Sequence, residues 1–78
     1  MKMDEVASRE QLAAYVRELA HEAARGDLEN ATLGAFLEAL SAWIDDMDGY
    51  FANLGNEVPT QPDWKLVAMM LRAATMYE

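Results

Sequence analysis

Cysteine is absent from this 78-residue chain, histidine occurs once, and proline only twice. Without cysteine there are no disulfide staples and no thiolate metal ligands, which argues against both a secreted scaffold and a zinc module. No apolar run approaches the ~20 residues that span a bilayer, and Met1-Lys2-Met3-Asp4-Glu5 lacks the apolar core of a signal peptide. A soluble, cytoplasmic chain is expected, folding as a single domain over residues 1–78. The glycines Gly26, Gly34, Gly49 and Gly55 are scattered singly, so no phosphate-cradling loop exists. The most informative absence is positive charge. Between Arg25 and Lys65 there is no Lys, Arg or His, while the same stretch holds Asp27, Glu29, Glu38, Asp45, Asp46, Asp48, Glu57 and Asp63. The flanks nearly cancel, so the net charge of −8 belongs to the middle of the chain.

What is present is helical. Hydrophobic residues make up 53% of the chain, too many for intrinsic disorder, and alanine is prominent among them. Ser8 with Gln11 reads as a capping box, followed by Leu12, Tyr15, Val16, Leu19, Ala20 and Ala23 on one face and a stop at Gly26. This predicts a helix over about 9–25. Leu33, Phe36, Leu37, Leu40, Trp43, Ile44, Met47, Tyr50, Phe51 and Leu54 step by three and four, predicting a second helix over about 31–54. Asn30 or Thr32 can cap it and Gly55 can end it. Gly49 lies inside this pattern and predicts a bend or a weakened last turn, since glycine in a helix costs about 1 kcal/mol relative to alanine. Thr60 with Asp63 reads as another capping box, and a third helix is expected over about 61–77. The fold class is therefore all-α, a compact bundle of three main helices. Its expected core is Leu12, Val16, Leu19, Phe36, Leu37, Leu40, Trp43, Ile44, Trp64, Val67 and Leu71. The third helix is apolar nearly all round, so a second copy or a partner is expected to cover part of it, through Met69, Met70, Met76 or Tyr77.

Chemistry is sparse. An EF-hand reading of Asp45-Asp46-Met47-Asp48-Gly49 places Gly49 sixth, which puts Ile44 first and Gly55 twelfth and leaves both ligand positions empty. No metal site follows. Paired carboxylates for acid–base work need desolvation, yet Glu38, Asp45 and Asp48 fall opposite the apolar stripe, with Asp46 on a flank. His21 lies on the exposed face of the first helix, among Arg17, Glu18, Glu22 and Arg25. With Ser8 a cap and Ser41 on the acidic face, no nucleophile–base pair exists. No catalytic residue, cofactor or metal is expected, and the chain reads as a non-enzyme.

The combination Ser8-Arg9-Glu10, Leu33 with Phe36-Leu37-Glu38-Ala39-Leu40, Trp43-Ile44, Asp46-Met47-Asp48-Gly49-Tyr50, Pro62 with Trp64, and the closing Ala73-Ala74 and Tyr77-Glu78 resembles an uncharacterised bacterial family. Its members are short acidic helical domains of unknown function. The resemblance runs from Ser8 to Glu78 and implies a compact, stand-alone helical domain of bacterial or phage origin. It implies no activity, ligand or site residue.

Charge then points to the function class. Fixed negative charge on one element attracts basic surfaces and repels nucleic acid and anionic bilayers. The expected function is an acidic binding protein that inhibits a partner by covering its basic, nucleic-acid-binding surface, as small phage inhibitors such as anti-CRISPR proteins do. Carboxylates on a helix stand in for phosphates there. Glu38, Asp45, Asp46 and Asp48 are the candidate contacts, with Asp27, Glu29 and Glu57 as a rim. Two other readings stay open: an immunity protein or antitoxin that blocks a toxin, and a homodimeric scaffold working through the third helix. Acidity serving only solubility is the plain alternative.

Overall fold

A computed structural model of the chain describes residues 2–30 and 32–77. Met1, Glu78 and Ala31, where the second helix is expected to begin, lie outside the described residues. A single 3-10 turn, Met3–Glu5, precedes α1 (Arg9–Ala24), α2 (Leu33–Asn53) and α3 (Trp64–Ala74), and the described residues contain no strand. The all-α bundle read from the sequence is what the chain forms.

Local chemistry sets the helix ends. Ser8 Oγ accepts the Gln11 N–H at 3.1 Å, and Gln11 Oε1 reaches back to the Ala7 N–H at 2.7 Å, one residue before the cap itself. Both α1 and α2 close in Schellman motifs. Gly26 and Gly55 sit at φ 77° and 75°, conformations open to residues without a Cβ. Asp27 N–H returns to Glu22 O at 3.0 Å, and Asn56 N–H to Phe51 O at 2.9 Å. Thr32 Oγ1 caps α2 through the Ala35 N–H at 3.1 Å.

Four expectations are corrected here. First, α2 runs unbroken through Gly49, whose N–H is accepted by Asp48 Oδ1 at 2.9 Å. Second, α3 is shorter than residues 61–77. Asp63, not Thr60, caps it, accepting the Leu66 N–H at 2.7 Å, because the residue before Pro62 is held out of the helical region. Third, of the two caps the sequence allows for α2, Thr32 serves and Asn30 does not. Its backbone N–H donates to Thr75 O at 3.0 Å, and its Nδ2 donates to Ala74 O at 2.8 Å and Tyr77 O at 3.0 Å, so the α1–α2 loop closes the C-terminus of α3. Fourth, Val16, Leu37, Ile44 and Trp64, expected inside, are 40%, 51%, 42% and 44% exposed.

The last correction follows from the arrangement. Each of α1, α2 and the N-terminal turn packs chiefly on α3, while α1 and α2 hardly meet. Two separate cores result. Val6, Tyr15, Leu19 and Ala68 form one, with Met3, Leu12 and Leu71 against it. Trp43, Phe51 and Leu66 form the other, with Met47, Met69, Met70, Ala73 and Tyr77. The central helix is apolar nearly all round because it serves both cores. Each outer helix meets one main neighbour, which covers less than its full stripe. The molecule is accordingly flattened, 35 × 28 × 17 Å. Its 5337 Å² of surface exceeds the roughly 4700 Å² typical of a monomer of 8.7 kDa.

Candidate functional site

On α2, seven residues amount to two turns, so Glu38 and Asp45 stand in line about 10 Å apart along the axis. Asp48 follows one turn on, and all three are exposed. None of the three is paired with a cation of the described residues. A row of exposed carboxylates without cation partners results. The other expected contacts behave differently. Asp46 accepts the phenol O–H of Tyr77, and that bond holds the Tyr77 hydroxyl above its ordinary pKa, because the neutral phenol is the donor. Asp27 is paired with Arg25 Nε at 2.9 Å at the end of α1, so its charge is locally balanced. Glu57 is exposed on the α2–α3 connection, apart from the row, and Glu29 lines a groove.

That groove has a volume of about 610 Å³. Trp43 and Tyr50 of α2, Met69, Ala73 and Arg72 of α3, and Met76, Tyr77, Met3 and Glu29 line it. Trp43 and Tyr50 lie 5.6 Å apart at 57°, and Tyr50 meets Phe51 edge-on at 5.2 Å, so the aromatic wall is braced by tilted ring contacts. Of the side chains expected to form an association patch, Met69, Met76 and Tyr77 converge here, whereas Met70 is turned into the α2–α3 core. A second cleft of about 310 Å³ opens where α1 and α2 diverge, with Val16, Leu33 and Phe36 as walls above Leu71.

Sequence reasoning missed one cluster. Glu22, placed on the exposed face of α1, instead receives Arg72 through two bonds, Nη1 to Oε1 at 2.9 Å and Nη2 to Oε2 at 2.8 Å. Arg72 Nε also donates to Tyr15 Oη at 2.7 Å, and Tyr15 is 2% exposed. The hydrogen bonds from Arg72 hold the Glu22 carboxyl below its usual range, and the same bonds hold the guanidinium charged well above its own. Two signals pointed here. Glu22 lies seven residues after the core residue Tyr15, on the same face, and Arg72 interrupts a helix with no exposed side. The cluster fastens α1 to α3. Among the described residues no three His, Asp or Glu side chains gather as metal ligands would.

A row of exposed carboxylates and an apolar groove lie on the surface of a small all-α protein whose α1, α2 and N-terminal turn pack around a central α3. No helix among the described residues is long and apolar enough to cross a membrane. The chain belongs to a family described as a family of unknown function (DUF7660), whose sequence model matches residues 8–78. No curated protein and no solved structure matches the chain.

Proposed function

We propose that the protein is a non-enzymatic acidic binder that inhibits a basic partner by covering its nucleic-acid-binding surface, as a phage-type inhibitor or nucleic-acid mimic does. One observation carries the reading: Glu38, Asp45 and Asp48 stand exposed and without cations on the outer face of α2, in a stretch of chain that contains no Lys, Arg or His. Carboxylates kept only for solubility would be served as well by scattering them among cations, as residues 2–25 do. Fixed spacing along a helix offers a partner's Arg and Lys an array of acceptors in place of phosphates. The exposure of these charges supports a binding role over catalysis.

The test is triple reversal, Glu38→Lys, Asp45→Lys and Asp48→Lys, with Asp46 left intact because Tyr77 uses it. Exposed positions of this kind cost within about 0.5 kcal/mol each, so the fold survives. Partners captured by the wild type from host extract are identified, and the interaction is then reconstituted with purified components. A nucleic-acid-binding partner, displaced by DNA or RNA and lost on triple reversal, is expected. Binding should also weaken with salt, since exposed charges are screened over about 8 Å at physiological ionic strength. Reversal of Asp4, Glu5 and Glu18, outside α2, is the control. If that control abolishes binding while the α2 reversal preserves it, the acidic-row reading is wrong.

A further inference from the structure

We propose that the groove beside α3 docks an amphipathic helix of the partner, bearing bulky apolar anchors on one face and Lys or Arg on the flank turned toward α2. The inference rests on the acidic-surface reading and adds what the partner presents besides charge. The groove is built of adaptable material: the thioethers of Met69 and Met76 and the rings of Trp43, Tyr50 and Tyr77. Met76 is 53% exposed and Tyr50 39%, so water now covers apolar surface that a monomer gains nothing by grouping. Helices recognised in such grooves insert side chains at three- and four-residue steps, with the opposite face left to solvent.

Charge selects the occupant. Glu29 is part of the lining, and Asp46, bonded to Tyr77, stands on the α2 side. The one cation in the lining is Arg72, and its guanidinium is closed by the two-point pair with Glu22 and the bond to Tyr15. Lys65 lies outside, in a separate crevice with Asp4 and Asp63. An acidic helix would therefore meet carboxylates with nothing to pair them, and a second copy would bring −8 against −8. The cleft between α1 and α2 has no acid in its lining, so charge favours no occupant there.

The experiment uses the Trp64→Phe protein, in which Trp43 is the sole tryptophan and reports from the groove wall. Three synthetic helical peptides of equal length are titrated: one amphipathic with Leu and Lys, one with Ala at the Leu positions, one with Gln at the Lys positions. The Leu/Lys peptide is expected to bind one to one, shift Trp43 emission, and bind about tenfold more tightly than the Ala/Lys control, the effect of burying a single large side chain, and more tightly than the Leu/Gln control by a margin that closes as salt is added. Met76→Gln, at an exposed position, is expected to remove that gain and leave Ala/Lys binding unchanged, with circular dichroism confirming the fold. Equal binding of the Leu/Lys and Ala/Lys peptides overturns the groove inference and leaves the acidic row standing. Equal binding of the Leu/Lys and Leu/Gln peptides overturns the basic occupant. Failure of both Lys peptides at low salt removes the acidic-surface reading as well. A wild-type dimer in sedimentation equilibrium, returned to monomer by Met76→Gln, assigns the groove to a second copy and also overturns the proposal.

Discussion

Replacing Asn30 by Asp changes one atom and reverses the sign of the interaction at the end of α3. Asn30 Nδ2 donates to Ala74 O at 2.8 Å and to Tyr77 O at 3.0 Å. The Ala74 carbonyl is poorly placed to find water instead, since Ala74 is 0% exposed. Two hydrogen bonds at about 1 kcal/mol net each put Asn30→Ala at about 2 kcal/mol of destabilisation. Aspartate removes both donors and adds a carboxylate at the negative end of the helix dipole, a further 0.3–1 kcal/mol or so. At pH 7 Asn30→Asp should therefore be the worse variant, and its melting temperature should fall by roughly 8–16 °C for each 2 kcal/mol lost. The new carboxyl faces oxygens, so its folded pKa is raised. Its penalty is full above the folded pKa and shrinks as pH falls through the carboxylate range. Urea titrations of both variants against wild type at matched pH, followed by circular dichroism and tryptophan fluorescence, measure this. Thr32→Ala, which removes the α2 cap, is the comparison at about 1 kcal/mol. Aspartate and asparagine serve equally at a helix N-cap. Asn30→Asp as stable as wild type, with Asn30→Ala the worse of the two, would refute the α3 assignment and return Asn30 to α2.

Acid should weaken the α1–α3 clamp. Glu22 has a folded pKa below its ordinary 4.5, so its contribution is present above 4.5 and lost as pH falls through the lower folded value. Glu22→Gln should flatten that limb of the stability curve in urea titrations. At the alkaline end the sign inverts. Tyr77 is raised above 10.0, so its contribution is full below 10.0 and lost as pH rises through the folded value. Asp46→Asn should bring one phenol back toward 10.0 in an ultraviolet titration. Gly49→Ala should raise stability by about 1 kcal/mol, because a Cβ there meets nothing within 4 Å and the helix is continuous. A loss of stability on that substitution would show that the chain needs a break at Gly49.

Features encoded over a few residues were legible in the sequence. Ser8 with Gln11, Thr32, Gly26 and Gly55 set the ends of α1 and α2 through bonds spanning three to five residues, and each appears where its spacing put it. The exposure of Glu38, Asp45 and Asp48 was legible too, since all three lie well round the helix from Trp43 by helical period alone. Illegible were the features that depend on which helix lies between the others. Periodicity gives the width of an apolar stripe and not the number of neighbours that cover it, so Val16, Leu37 and Ile44 looked like core and are surface. The same ignorance hid the Arg72–Glu22–Tyr15 cluster and the reach of Asn30 across 44 residues to Ala74. Trp64 misled for a related reason: as the first residue of α3, it precedes most of the turns that α1 and α2 pack against.

A central helix also separates the contacts that hold the fold from the surfaces proposed for recognition. The contacts that hold the chain together converge on α3: Leu66 and Ala68 in the two cores, Arg72 in the clamp, and Ala74 under the Asn30 cap. The row Glu38, Asp45 and Asp48 lies outside both cores and the clamp, although Glu38 lines a cleft beside Asn30 and Tyr77. Reversing it changes the field outside the molecule and leaves the packing inside intact, so a loss of binding in that variant reports on the surface and not on unfolding. The groove is less separable, because Trp43, Met69 and Tyr77 serve the α2–α3 core and the groove wall at once. Met76 is the exception: it lines the groove without being packed against either core, and it is half exposed. That makes Met76 the position where recognition can be weakened with the least cost to the fold, and where a binding defect with an unchanged melting temperature carries the most weight.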